Sequence, residues 1–64
     1  MGKDLYEVRC YFRDGDKVRY INVTDVDCND IRYKIIDKDG NMALIMCNTI
    51  KYMEVDVVGM TDDI

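Results

Sequence analysis

The stretch that decides the fold is Tyr6-Glu7-Val8-Arg9-Cys10-Tyr11-Phe12-Arg13-Asp14-Gly15-Asp16-Lys17-Val18-Arg19-Tyr20. Tyr6, Val8, Cys10 and Phe12 alternate with Glu7, Arg9, Tyr11 and Arg13, the period-two pattern of a strand with one face buried. Asp14-Gly15-Asp16 is a turn signal, because glycine supplies the positive φ that a tight hairpin needs. Val18 and Tyr20 resume the apolar face on the return strand, opposite Lys17 and Arg19. Ile21 then breaks the phase and Val23 restarts it, which predicts a bulge or sharp bend there.

The same reading continues outward. Residues Thr24-Asp25-Val26-Asp27-Cys28-Asn29-Asp30 are polar and turn-rich, with Val26 as an inward anchor. Ile31, Tyr33 and Ile35 alternate with Arg32 and Lys34, and Asp37-Lys38-Asp39-Gly40-Asn41 makes a second hairpin turn. A fourth strand follows at Met42-Ala43-Leu44-Ile45-Met46-Cys47, which lacks any charged or hydroxylated side chain. Asn48-Thr49-Ile50 is too short for an α-helix but suits one 3₁₀ turn capped by Asn48, ahead of a last strand over 52–57. The expected domain is 1–58, with 59–64 an acidic, flexible tail.

Composition agrees. Val, Ile and Thr number 17, while Ala and Leu together number three. Branched side chains lose rotamer freedom in a helix and pack well on a pleated surface, so the fold is all-β. At 64 residues, burial is limited and stability depends on small margins or on a partner.

Five short strands with a 3₁₀ turn before the last resemble small SH3-like/Sm-like β-barrel proteins of bacteria and phages, over about residues 5–58. The resemblance implies a five-stranded barrel. In Sm proteins the fourth strand carries an Ile-Arg-Gly-like motif. Here Ile45-Met46-Cys47-Asn48-Thr49-Ile50 keeps two isoleucines without Arg-Gly, and the Asp-x-x-x-Asn loop of the first Sm motif is not evident. The resemblance thus extends to layout and not to the residues that bind RNA.

The chain has no histidine, serine, proline, tryptophan or glutamine. That excludes a Ser-His-Asp triad, a Cys-His pair and imidazole chemistry near neutral pH. The carboxylates fall mostly in exposed turns, where acid-base catalysis lacks the burial it needs. A non-catalytic protein without a cofactor is expected. Asp25, Asp27 and Asn29 match the first positions of an EF-hand loop, but the sixth is Asp30 rather than Gly and the twelfth is Ile36 rather than Glu. No metal site is expected.

Cys10, Cys28 and Cys47 are odd in number and lack CxxC spacing, consistent with thiols in a reducing cytoplasm. Cys10 falls on the inward face, and Cys28 has no histidine to activate it. Met1-Gly2-Lys3-Asp4 is charged, and no apolar run of signal-peptide or membrane-span length follows. The expected location is cytoplasmic, away from membranes.

The net charge is −4, yet six of the eight outward positions on the first three strands are basic. Arg9, Tyr11, Arg13, Lys17, Arg19, Arg32 and Lys34 are therefore the candidate binding residues. Guanidinium forks match phosphate and carboxylate geometry, and tyrosine offers a stacking surface. The competing reading is a solvated face whose basic groups pair with acidic neighbours. A protein partner or small anionic ligand is expected in preference to nucleic acid, which an acidic chain attracts poorly. The expected function is an adaptor, inhibitor or anion-sequestering module, phage-encoded proteins being of this kind; the alternative is an Sm-like homo-oligomer on single-stranded RNA.

The strand Met42, Ala43, Leu44, Ile45, Met46, Cys47 adds self-association. Alternate side chains point to opposite faces, and one small core can bury only one set. The other set is exposed or covered by a second chain, so a homo-oligomer is expected.

Overall fold

The computed structural model describes residues 3–60. Five strands form one antiparallel sheet: β1 (Asp4–Phe12), β2 (Lys17–Cys28), β3 (Arg32–Asp37), β4 (Met42–Met46) and β5 (Ile50–Met60), with a 3₁₀ turn at Cys47–Thr49. The order across the sheet is β4-β3-β2-β1-β5. β4 and β5 are therefore its two edges, and the sheet does not close on itself.

The fold is all-β, as the composition dictates. The shift of phase after Tyr20 is a bulge: Val8 faces Tyr20 while Tyr6 faces Val23, so β2 spends one residue more than β1 between these pairs. Asn22 takes a positive φ of 55° there. Asparagine adopts this left-handed conformation more readily than other side-chain-bearing residues. The bulge divides β2 by partner. Residues up to Val23 pair with β1, and Val23 onward pairs with β3.

The bend folds the inward face around Val8, Cys10, Val23, Ile35, Ile45 and Ile50, all buried. Tyr6, Phe12, Tyr20, Tyr33, Ala43 and Met53 pack against this cluster. Val8 and Cys10 come from β1, and Ile35 and Ile45 from β3 and β4. A flat sheet would hold these residues two or three strands apart on an uncovered surface.

Three sequence expectations are corrected. Residues 24–28 are strand and not loop: Asp25, Val26, Asp27 and Cys28 pair with Ile36, Ile35, Lys34 and Tyr33. Val26 and Cys28 are exposed like the aspartates between them, so Val26 is not the inward anchor expected and this end of β2 is solvated on both faces. Asn48 does not cap the 3₁₀ turn. Met46 holds the N-terminal position without a side-chain cap, and the Thr49 hydroxyl donates to the Met46 carbonyl at 2.7 Å. Finally, β5 reaches Met60, with Gly59 and Met60 paired to Leu5 and Asp4. Of the expected tail, 61–64 lies outside the described residues.

The aspartate-rich turns use their side chains on their own backbone. Asp37 accepts from the amides of Asp39 and Asn41, both at 2.9 Å, and from the Asn41 side-chain amide at 3.1 Å. These bonds, the Asn41 side chain foremost, hold the Asp37 carboxyl below its usual range. Asn29 accepts from the amides of Ile31 and Arg32 at 2.8 Å each. Among the described residues no group of three or more His, Cys, Asp or Glu is placed to hold a metal ion. Nor is any helix among them long and apolar enough to cross a membrane.

Candidate interaction surfaces

The basic outward positions fall into separate places because β2 changes partner at its bulge. Arg9, Tyr11, Lys17 and Arg19 share the outer face of β2, β1 and β5, where Arg9 stands opposite Arg19 and Tyr11 opposite Lys17. Arg32 and Lys34 lie on β3, beyond the bend and next to β4. Arg13 is in the first turn, its backbone amide bonded to the Thr49 carbonyl at 2.9 Å.

On the first face, β5 supplies what the spacing of the first three strands did not reveal. Glu54 stands opposite Arg9, Asp56 opposite Glu7 and Tyr52 opposite Tyr11. The Arg9 guanidinium bonds Glu7, Glu54 and Asp56 at once, with Nε 3.2 Å from Glu54 Oε1. Three carboxylates strengthen its hold on the proton, and its pKa rises further above the ordinary arginine value, with Asp56 the largest contributor. Arg19 Nη1 comes within 3.9 Å of Glu7. Tyr11 donates to Glu54 at 2.8 Å and stacks on Tyr52 with centroids 4.3 Å apart and planes at 20°. Lys17 Nζ sits 5.9 Å from the Tyr11 ring centre, in range for a cation–π contact.

These bonds pull the titrations apart. Glu54 is held below the usual carboxylate range, chiefly by the Tyr11 hydroxyl and then by Arg9. The Glu54 carboxylate pushes Tyr11 above the usual tyrosine range. Arg9 and Arg19 stand against Glu7, Glu54 and Asp56, while Lys17 meets the Tyr11 ring. This half of the face is a paired network, the solvated-face alternative set out above. Tyr52, Glu54 and Asp56 alternate visibly in the sequence, but only the pairing of β5 with β1 brings them to Arg9.

The second surface is the outer face of β3 and β4. Met46 stands opposite Arg32, Leu44 opposite Lys34 and Met42 opposite Ile36. Met42, Leu44 and Met46 are 60, 50 and 47% exposed, while Ile45, on the other face of the same strand, is buried. Arg32 and Lys34 make no ion pair among the described residues. With Asp27, Cys28 and Asn29 they line a shallow hollow of about 280 Å³. Cys47, expected as the last strand residue, begins the 3₁₀ turn, and its amide still donates to Ile31 at 2.8 Å.

The three thiols are unpaired: Cys10 is buried, Cys28 exposed and Cys47 half-buried. Burial pushes the Cys10 thiol up, away from nucleophilic use. Comparison with known protein families, with characterised proteins and with solved structures finds no match for this chain.

Proposed function

We propose that this protein is a non-catalytic interaction module, an adaptor or inhibitor, that self-associates and works through the outer face of β3 and β4. The carrying observation is the column Met42, Leu44, Met46, exposed on a strand with no neighbour on its far side among the described residues. Soluble domains usually protect such an edge with charge, a bulge or a covering element. Among the described residues β4 has none of these. Arg32 and Lys34 beside the column supply the charged rim, where an acidic protein surface or a small anion would dock.

The five-strand order, the bend at Asn22 and the 3₁₀ turn between the edge strands support an SH3-like layout with an open side. Three unpaired thiols support a reducing, cytoplasmic setting. A single-stranded RNA role draws less support, since phosphates approaching Arg9 would also meet Glu7, Glu54 and Asp56.

The test is solution mass by light scattering over a hundredfold range of concentration, at low and high salt. The expected result is a mass that rises above the monomer and persists in high salt, because the contact is apolar. A monomer throughout would overturn the reading.

A further inference from the structure

We propose that two copies of the chain join through β4, antiparallel about a twofold axis at Leu44, so that their sheets run into one. This rests on the self-association just argued and names the strand, the symmetry and the register.

The open edge follows from the ladder. Asp37 N–H donates to the Asn41 carbonyl at 3.0 Å at one end of the β3–β4 hairpin, and Cys47 N–H donates to the Ile31 carbonyl at 2.8 Å at the other. Bonded and non-bonded pairs alternate in an antiparallel ladder. Between these ends, Ala43 and Ile45 are the residues bonded to β3. Met42, Leu44 and Met46 turn their backbone N–H and C=O groups to the free edge. They are the same residues whose side chains are exposed on the outer face.

The sequence of β4 is self-complementary about its centre. With the axis at Leu44, Met42 faces the partner's Met46 and Leu44 faces the partner's Leu44, all apolar. On the inner face, small Ala43 meets the partner's larger Ile45. No like charges meet across the junction. The other possible junctions are poorer. Pairing β5 with a second β5 about Val55 sets Glu54 against the partner's Asp56, and a register nearer Met60 engages only the last residues of the strand, Val57, Val58 and Met60. Pairing β5 with β4 lays these carboxylates, already bonded to Arg9, beside Leu44 and the methionines and removes water from them.

The contact is small. Stable interfaces bury about 1,200 Å² or more in total, and a pair of short strands falls near or below that. A weak equilibrium is expected, in the micromolar range or above.

Cysteine cross-linking tests the register in a background carrying Cys28→Ser and Cys47→Ser, with the buried Cys10 retained. Directly opposed bonded residues have Cα atoms about 5.5 Å apart, within disulfide reach. Leu44→Cys should therefore form a disulfide-linked dimer with itself. Met42→Cys and Met46→Cys should each fail alone and cross-link when mixed.

For the unmodified chain, amide exchange at high against low concentration is the second measurement. Exchange at Met42, Leu44 and Met46 should slow about tenfold when most of the chain is dimeric, with Ala43 and Ile45 unchanged. A monomer at every concentration would overturn both the proposal and the reading beneath it. An oligomer in which Met42→Cys links to itself, or in which exchange slows along β5 instead of β4, would overturn this register and leave self-association standing.

Discussion

Asn22→Val tests the feature that makes this sheet bend. Asn22 has φ 55° at the bulge, and its carbonyl accepts from the Lys38 amide at 2.9 Å, tying the bend to the β3–β4 turn. A β-branched residue in the left-handed region costs about 1–2 kcal/mol, because Cβ crowds the following carbonyl. Asparagine carries part of that already, so Asn22→Val is expected to lower stability by about 1 kcal/mol and Asn22→Ala by somewhat less. Asn22→Gly removes the steric cost but loosens the unfolded chain, and should fall within about 0.5 kcal/mol of the original.

The assay is urea unfolding followed by far-ultraviolet circular dichroism, at one fixed protein concentration since association contributes to stability. With a denaturant slope of about 1 kcal/mol/M, valine should lower the midpoint by about 1 M. Equal midpoints for valine and glycine would refute the reasoning. β2 would then need no left-handed residue, and the register that places Val23 opposite Tyr6 would be wrong.

Two further outcomes are expected. Cys28 should react with Ellman's reagent within seconds and Cys10 only as fast as the protein unfolds; Cys10→Ser should cost about 1–3 kcal/mol in urea unfolding, because its hydroxyl would be buried among Val8, Val23 and Ile35. The Glu54–Tyr11 bond should give two pH dependences. The lowered Glu54 stabilises the fold above its unfolded value of about 4.3, and that contribution is lost as pH falls through the lower folded value. The raised Tyr11 stabilises below about 10, lost as pH rises through the folded value. Ultraviolet titration of phenolate should show two late-titrating tyrosines, Tyr11 and the partly buried Tyr20, of which only Tyr11 returns toward the ordinary range in Glu54→Gln; no movement would mean the bond does not form in solution.

Local pattern was enough for much of this molecule. The alternation of Tyr6 to Arg13, the glycines in two hairpin turns and the phase break after Tyr20 are decided within a few residues, by steric and solvation rules that act along the chain. They identify the strands, the first turn and the bend. The split of β4 into Ala43 and Ile45 against Met42, Leu44 and Met46 follows from the two-residue repeat alone; burial then selects which set faces in. The strand over 24–28 was missed because its aspartates satisfy turn and edge-strand chemistry equally, and only a partner, β3, distinguishes the two.

What the tertiary structure decided is which strands stand side by side. From residue types, Arg9, Arg19, Arg32 and Lys34 form one basic face. The bulge at Asn22 sends Arg32 and Lys34 round a bend, and β5 lays Glu54 and Asp56 against Arg9 from more than forty residues away in the chain. Charge at a surface depends on distance in space, and strand order is set by how the whole apolar set can be buried at once. No window of sequence contains that information, so the pairing of Arg9 and the openness of β4 emerge only when the sheet is assembled.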